Sequence, residues 1–156
     1  MALEIERKYL VHKERFQPAG LVRKEIVQGF LSRSRDIVCR VRLVDRKGFL
    51  TVKARVDGSA TTRQEFEYPV PENDAREMLA LCEVGVSKIR YLYPVGNFTW
   101  EIDVFGGDLA GLILAEIELE HESDPYELPD FIDRDVTGDP AYLNSNLARP
   151  GFLQGA

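Results

Sequence analysis

Seven stretches of this chain carry charged residues at every second position. Because successive side chains of a β-strand point to opposite faces, each set is expected to lie on one face of one strand. The pattern therefore predicts a sheet with one strongly charged face. The sets are Glu4/Glu6/Lys8, Arg40/Arg42, Lys53/Arg55, Glu65/Glu67, Lys88/Arg90, Glu101/Asp103 and Glu116/Glu118/Glu120.

The signs of these charges are separated by strand. Four sets are acidic apart from Lys8, and three are basic. Any single stripe is most simply the solvated face of a half-buried sheet. Like charges along one face, however, repel unless opposite charges or a ligand neutralise them. If the sheet closes with these residues inward, the acidic and basic strands would confront each other across a polar cavity.

The same two-residue alternation predicts most of the secondary structure. Eight strands joined mainly by short turns, such as Arg46-Lys47-Gly48 and Gly96-Asn97, favour antiparallel neighbours. We therefore predict a mainly β (α+β) fold, a closed or nearly closed eight-stranded antiparallel barrel in a single domain over residues 1–156. The predicted strands are residues 2–11, 24–33, 37–45, 48–56, 61–70, 86–95, 98–106 and 112–122.

Two peripheral helices are predicted. The first covers residues 72–83, where apolar residues recur at helical spacing after Pro71. The second lies near residues 139–148, because Asp139-Pro140 resembles an N-cap followed by proline at the first helical position. Residues 129–138 between them are predicted to form a helical turn and a loop.

The strand faces opposite the charges are apolar and must be covered. Helices or a second subunit could cover them, and a homodimer is expected because two short helices offer little area. The predicted apolar face consists of Ile5, Val41, Leu43, Val56, Phe66, Tyr68, Ile89, Tyr91, Ile102, Val104, Ile117 and Leu119.

The overall composition excludes several classes of partner. A net charge of −6 and a pI near 5.0 give no general attraction to nucleic acid or to an anionic membrane. We see no signal peptide and no apolar run near the ~20 residues that a spanning helix needs. Cys39 and Cys82 lack metal-site spacing, and buried thiols in a reducing cytoplasm are favoured over a disulfide. A cytoplasmic protein is expected.

The charged residues themselves indicate a type of chemistry. Carboxylates clustered without histidine or cysteine ligands suit hard cations such as Mg²⁺ or Mn²⁺. Several arginines and lysines acting together suit phosphate, which arginine can bind bidentately. A carboxylate-bound metal beside a cluster of basic phosphate-binding residues is the arrangement used in metal-assisted phosphoryl transfer.

These stretches resemble the CYTH-domain proteins, also called triphosphate tunnel metalloenzymes. The first stretch resembles that family's N-terminal Glu-x-Glu-x-Lys strand, and the later ones follow the family in order over nearly the whole chain. The resemblance implies an eight-stranded β-tunnel that binds triphosphate together with a divalent metal. The stretches are MALEIERKYLV, VQGFL, CRVRLV, FLTVKAR, RQEFEYPV, VSKIRYLY, WEIDVFGGDLAGLILAEIELE and DVTGDPAYLNSNLA.

The resemblance also implies roles for individual residues. The implied metal-binding acids are Glu4, Glu6, Glu116 and Glu118. The implied phosphate clamp is Lys8, Arg40, Arg42, Lys53, Lys88 and Arg90, and the implied supporting acids are Glu65, Glu67 and Asp103. Four charged residues stay open between a role in the tunnel and a place at its mouth or surface: Arg55, Arg63, Glu101 and Glu120.

Two further positions carry expectations. Phe30 stands where the family often has tyrosine, so a hydroxyl that could touch phosphate or water is lost. The last helix, with Tyr142, Asn144 and Asn146, either closes one tunnel end or packs as ordinary surface.

The expected activity is hydrolysis of inorganic triphosphate to diphosphate and orthophosphate. The lysines expected to take part are Lys8, Lys53 and Lys88, and either Lys53 or Lys88 could act as a base if its pKa is lowered among other cations. Alternatives on the same scaffold are a class IV-type adenylate cyclase, a nucleotide or thiamine triphosphatase, and an RNA 5′-triphosphatase. A polyphosphate-binding module without catalysis is the non-enzymatic alternative.

Overall fold

The charged strands form the wall of a barrel. The computed structural model describes residues 3–34 and 36–154, within which nine strands make one antiparallel sheet. Ala2, included in the first predicted strand, lies outside the described residues. The strands are β1 Leu3–Val11, β2 Val22–Arg33, β3 Ile37–Val44, β4 Lys47–Arg55, β5 Thr62–Val70, β6 Gly85–Val95, β7 Phe98–Phe105, β8 Ile113–Leu119 and β9 Ile132–Asp135.

Eight of these strands close on themselves. The strand order is β5-β4-β3-β2-β6-β7-β8-β1, and β1 pairs back with β5 through Leu3 opposite Gln64 and Ile5 opposite Thr62. Closure satisfies the backbone groups that an open sheet would expose at its two edges. The predicted eight-stranded antiparallel barrel is confirmed.

The prediction for residues 129–138 was wrong in part. Ile132–Asp135 forms β9, which pairs with the second half of β1 through Tyr9 opposite Asp135 and Val11 opposite Ile132. β5 pairs with β1 only over residues 3–5, so the remaining edge of β1 takes another strand. A four-residue strand is too short to show a clear two-residue period.

The first predicted helix is confirmed and the second is shorter than predicted. Helix α1 spans Glu72–Leu81. In the region 139–148, a 3₁₀ turn at Pro140–Tyr142 precedes the short helix α2 at Asn144–Leu147, and Leu143 between them is extended. Asp139 caps the 3₁₀ turn by accepting a hydrogen bond from the Ala141 amide. The sequence did not predict two further 3₁₀ turns, at Gly107–Leu109 and Phe152–Gln154.

Most of the apolar core lies outside the barrel wall, because the cavity inside is lined by charge. Val86, Phe105 and Leu114 instead share the inward rows of the charged residues and pack with Leu147. Trp100, Ile102 and Ile117 point outward from β7 and β8 and are buried against Phe16 and Phe131 from the covering segments. On another side, α1 covers β3 and β4. The aromatic rings of Phe16 and Phe131 pack edge to face, with their centroids 5.2 Å apart.

The covering of this outer face is incomplete on β5. Phe66 is 37% exposed and Tyr68 is 61% exposed, although the sequence placed both on the apolar face to be covered. Helix α1 packs over β2, β3 and β4 and leaves these two side chains at the surface. The homodimer stays a prediction.

Cys39 and Cys82 are free and half-buried rather than fully buried. Within the described residues, no helix has both the length and the apolar composition needed to cross a membrane.

Helix α1 should stabilise the barrel mainly through Leu79, which is 2% exposed against β3 and β4. We expect Leu79→Ala to lower the free energy of unfolding by about 2–4 kcal/mol, because it leaves a cavity under the helix. Urea unfolding followed by circular dichroism measures the change.

Leu81→Ala is the matched control, since Leu81 ends the same helix and is 76% exposed. We expect it to change stability by less than about 0.5 kcal/mol. Equal losses in the two variants would contradict the proposed packing of α1.

Candidate active site

The barrel encloses a charged cavity of about 150 Å³. All the residues implied as metal ligands or phosphate clamp line it, and so do Glu65 and Glu67. Of the four open residues, Arg63 and Glu101 also line the cavity, whereas Arg55 and Glu120 are exposed and are not part of its wall. The charged lining is Glu4, Glu6, Lys8, Arg40, Arg42, Lys53, Arg63, Glu65, Glu67, Lys88, Arg90, Glu101, Glu116 and Glu118.

Strand order divides this lining into two halves. The acidic strands β7, β8, β1 and β5 are neighbours around the barrel, and the basic strands β4, β3 and β6 occupy the rest. Strand β2 lies between β3 and β6 and adds no charged residue to the lining. Opposite charges meet where the halves join, with Lys53 opposite Glu65 and Arg90 opposite Asp103. They also meet within the acidic strands, where Arg63 lies opposite Glu4 and Lys8 lies opposite Glu116. The separation of signs by strand in the sequence thus becomes an acidic wall and a basic wall.

The acidic wall is short of positive charge. Glu6 lies opposite Glu118, and Glu101 lies opposite Glu116, so like charges are cross-strand neighbours. Burial, followed by the charges of Glu116 and Glu4, raises the pKa of Glu6 to about 7. Burial and the charge of Glu4 also raise the pKa of Glu118. A bound cation would reduce the repulsion on both carboxylates and stabilise their ionised forms.

Two carboxylates of this wall are instead neutralised by basic side chains. Burial opposes ionisation of Glu4, but Lys53 and Arg63 lower its pKa to about 2. Lys53 Nζ donates to both Glu4 oxygens at 2.9 and 3.0 Å, and Arg63 donates to Glu4 at 3.1 Å. Burial likewise opposes ionisation of Glu116, yet the pKa of that carboxyl is well below normal because Lys8, 3.6 Å away, and Arg90 attract its charge.

The donor chemistry of this wall fits a hard divalent cation. Glu4, Glu6, Glu116 and Glu118 offer only carboxylate oxygens, which Mg²⁺ and Mn²⁺ prefer. The four carboxylates do not converge on one point in this structure. Within residues 3–34 and 36–154, no three histidine, cysteine or acidic side chains form a group that could hold a metal ion. The ion pairs from Lys53 and Arg63 to Glu4, and from Lys8 to Glu116, account for this arrangement.

The basic wall is short of negative charge. Arg40 and Arg42 lie two residues apart on β3 and share one carboxylate, Glu67, at 3.9 and 3.1 Å. Burial and the charge of Arg42 lower the pKa of Arg40 to about 10. The Nε atoms of both arginines are buried and have no hydrogen-bond partner among the described residues. An anion in the cavity would balance this excess of positive charge.

Asp103 fixes the second pair of cations from behind the cavity. Its carboxylate is fully buried and accepts two hydrogen bonds from Arg90, at 2.7 and 2.9 Å, while Lys88 Nζ lies 2.8 Å away. Arg90 also donates to Glu101 at 3.1 Å. Asp103 therefore orients basic side chains instead of lining the cavity.

The C-terminal segment closes one end of the cavity. Lys8 Nζ donates to the Tyr142 carbonyl at 3.0 Å, and Lys88 Nζ donates to Asn144 Oδ1 at 3.0 Å. Leu143 and Asn144 line the cavity. The tunnel-closing alternative is therefore the correct one for Tyr142 and Asn144, whereas Asn146 is exposed and donates to a carbonyl within the same segment.

Sequence reasoning missed two uncharged polar residues of the interior. Gln28 is fully buried and donates to Asn144 at 3.1 Å, and Thr51 is fully buried and donates to Glu67 at 2.9 Å. Both follow the alternation of the charged sets, with Gln28 opposite Arg42. A search for every polar residue in register with the charges would have found them. Phe30, in the same inward row of β2, lines the cavity.

Comparison with known proteins identifies the family. Residues 2–144 match the sequence profile of the CYTH domain. The chain belongs to the CYTH-domain family. The profile spans β1 to β9 and extends to the first residue of α2, so it includes every strand that lines the cavity.

Proteins named as inorganic triphosphatases resemble the chain over almost their full length. It is 42% identical to an inorganic triphosphatase of Acetivibrio thermocellus, over 96% of this chain and 95% of that protein. It is 34% identical to an inorganic triphosphatase of Nitrosomonas europaea, over 93% of this chain and 96% of that protein. A crystal structure of an inorganic triphosphatase superposes with a TM-score of 0.67 at 31% identity, covering 97% of this chain and 99% of that one.

Asn144 should position Lys88 through the hydrogen bond that its Oδ1 accepts. We expect Asn144→Ala to slow phosphate release from tripolyphosphate by about tenfold, because a buried ammonium loses one acceptor. Asn144→Asp, which keeps an oxygen toward Lys88, should retain more activity. A colorimetric phosphate assay at saturating substrate measures both.

Asn146→Ala in the same short helix is the control and should behave like the wild type, since Asn146 is exposed. Similar losses for Asn144→Ala and Asn146→Ala would mean that the segment acts only by covering the barrel end.

Proposed function

We propose that this protein hydrolyses inorganic triphosphate to diphosphate and orthophosphate inside the barrel, with the help of a divalent cation. One observation carries the proposal: a wall of under-neutralised carboxylates faces a basic wall, in which Arg40 and Arg42 share a single carboxylate, within one small cavity. A linear polyanion accompanied by a metal ion supplies both missing charges at once. The naming of relatives at 42% and 34% identity as inorganic triphosphatases supports the same substrate.

The size and closure of the cavity favour a small phosphate over a nucleotide. The volume is about 150 Å³, and Leu143 and Asn144 close one end. The lining is almost entirely charged, with no aromatic platform besides Phe30 among the described lining residues. A nucleoside would therefore have to extend from the open end.

We assign the basic wall to substrate binding. Arg40 and Arg42 offer guanidinium donors that are not fully used, and Lys88 and Arg90 are held toward the cavity by Asp103. Prearranged cations of this kind stabilise the charge that develops on the transferred and leaving phosphates. Lys8 and Lys53 complete this set.

The acidic wall is assigned to the cation. Glu4, Glu6, Glu116 and Glu118 would hold Mg²⁺ or Mn²⁺, which would neutralise phosphate oxygens and orient water. For proton transfer, Lys53 and Lys88 are the candidates, since burial lowers the pKa of both, and that of Lys88 to about 8. A lysine with a pKa near neutrality can alternate between donating and accepting a proton.

The decisive experiment compares substrates. We expect purified protein with Mg²⁺ or Mn²⁺ to release phosphate from tripolyphosphate faster than from ATP or thiamine triphosphate, and to form no cyclic AMP. Phosphate release and chromatography of the products measure these activities. Faster turnover of a nucleotide would overturn the assignment, and tight tripolyphosphate binding without hydrolysis under either metal would favour the binding module.

The lowered pKa of Lys88 predicts a pH dependence of binding. Lys88 is a cation below its pKa of about 8 and loses its charge as the pH rises through that value. We expect wild-type affinity for tripolyphosphate, measured by calorimetry without metal, to fall relative to Lys88→Arg, by about tenfold at one pH unit above that pKa. Arginine keeps its charge over this range, so the ratio of the two affinities cancels the titration of the substrate itself. Parallel pH profiles would contradict a charged Lys88 at the phosphate site.

A further inference from the structure

Arg63 bridges two of the carboxylates assigned to the metal. It lies on β5 directly opposite Glu4 of β1, at the seam that closes the barrel. Its Nη2 atom is 3.1 Å from Glu4 Oε1 and 3.2 Å from Glu6 Oε1. The guanidinium therefore occupies the space between the two carboxylates.

The cross-strand neighbour on the other side explains why Arg63 leans toward the acids. On β4 the residue opposite Arg63 is Arg55, which carries the same charge and is exposed. Repulsion from Arg55 and attraction by Glu4 and Glu6 act in the same direction. The charges of Glu6 and Glu4 keep the pKa of Arg63 raised, although burial opposes this.

The oxygens held by Arg63 are those a divalent cation needs. A guanidinium and a hard cation cannot both occupy the space between two carboxylates, because each must contact the oxygens directly. Lys53 is the other cation on Glu4, but its side chain is only 8% exposed and is also paired with Glu65 at 3.4 Å. Arg63 is 26% exposed, so its guanidinium is the one with access to solvent.

We propose that Arg63 is an internal counter-cation, which occupies the metal's place between Glu4 and Glu6 in the metal-free protein and is displaced when the cation binds. It limits repulsion between the carboxylates before binding and makes metal binding competitive. This inference rests on the proposed function in taking Glu4 and Glu6 as metal ligands. It goes beyond that function in making Arg63 a determinant of metal affinity.

The test measures Mn²⁺ binding to the substrate-free protein by electron paramagnetic resonance. We expect Arg63→Ala to bind Mn²⁺ on the order of tenfold more tightly than the wild type, because the metal no longer has to break charged hydrogen bonds. Arg63→Lys keeps the charge but loses the planar set of guanidinium donors, so its Mn²⁺ affinity should fall between those of the other two proteins. Without metal, Arg63→Ala should melt at a lower temperature and should gain more from added Mn²⁺.

Two control variants separate displacement from general electrostatics. Arg55→Ala removes the same charge from the neighbouring strand, and Arg55 is not part of the cavity lining. It should change Mn²⁺ affinity much less than Arg63→Ala. Glu6→Gln should weaken Mn²⁺ binding strongly, which locates the measured metal at this wall.

These measurements either support or contradict displacement of Arg63 by the metal. Unchanged or weaker Mn²⁺ binding by Arg63→Ala would overturn the inference, as would an equal gain in Arg55→Ala or undiminished binding by Glu6→Gln. If Arg63→Ala does not fold, Arg63→Gln takes its place and the same comparison applies.

Tripolyphosphate hydrolysis, measured separately, tests the proposed function independently. Wild-type hydrolysis with no affinity gain in Arg63→Ala refutes the counter-cation alone. An affinity gain without wild-type hydrolysis refutes the proposed function alone.

Discussion

The balance of opposite charges inside a closed barrel is the constraint on which this structure depends. Isolated buried charges are very costly, so a wall of carboxylates is tolerated only beside a matching set of cations. The fully buried Asp103 shows the principle, because Arg90 and Lys88 together satisfy both of its oxygens. Where this balance is complete the side chains are fixed, and where it is incomplete a ligand can bind.

The charged cavity leaves most of the apolar core on the outside of the barrel wall. Trp100 and Ile102 are fully buried under segments that connect or flank the strands, and α1 covers another part of the wall. The barrel is therefore stabilised mainly from outside, while the charged part of its inner surface is free for chemistry. The C-terminal segment does both, since it adds Leu147 to the apolar packing and presents Asn144 to the cavity.

The incomplete balance lies at particular residues. On the acidic wall, burial and the charges of Glu116 and Glu4 raise the pKa of Glu6. On the basic wall, burial and the charge of Arg42 lower the pKa of Arg40. A metal-bound triphosphate would stabilise the charged forms of both groups, which joins the electrostatics to the function proposed for this CYTH protein. Arg63 supplies part of the missing positive charge from within the chain.

The sequence by itself determined the strands, the charged face and the separation of acids from bases, because a two-residue period and the sign of a side chain are local properties. It also identified most of the cavity-lining acids and bases, since the sets Glu4/Glu6/Lys8 and Arg40/Arg42 repeat the same alternation, but it left Arg63 open. Only the tertiary structure decided that β9 completes the edge of β1, that Asn144 holds Lys88 and that Arg63 bridges two carboxylates. These contacts join residues far apart in the chain, so they depend on strand register and barrel closure, which no local pattern encodes.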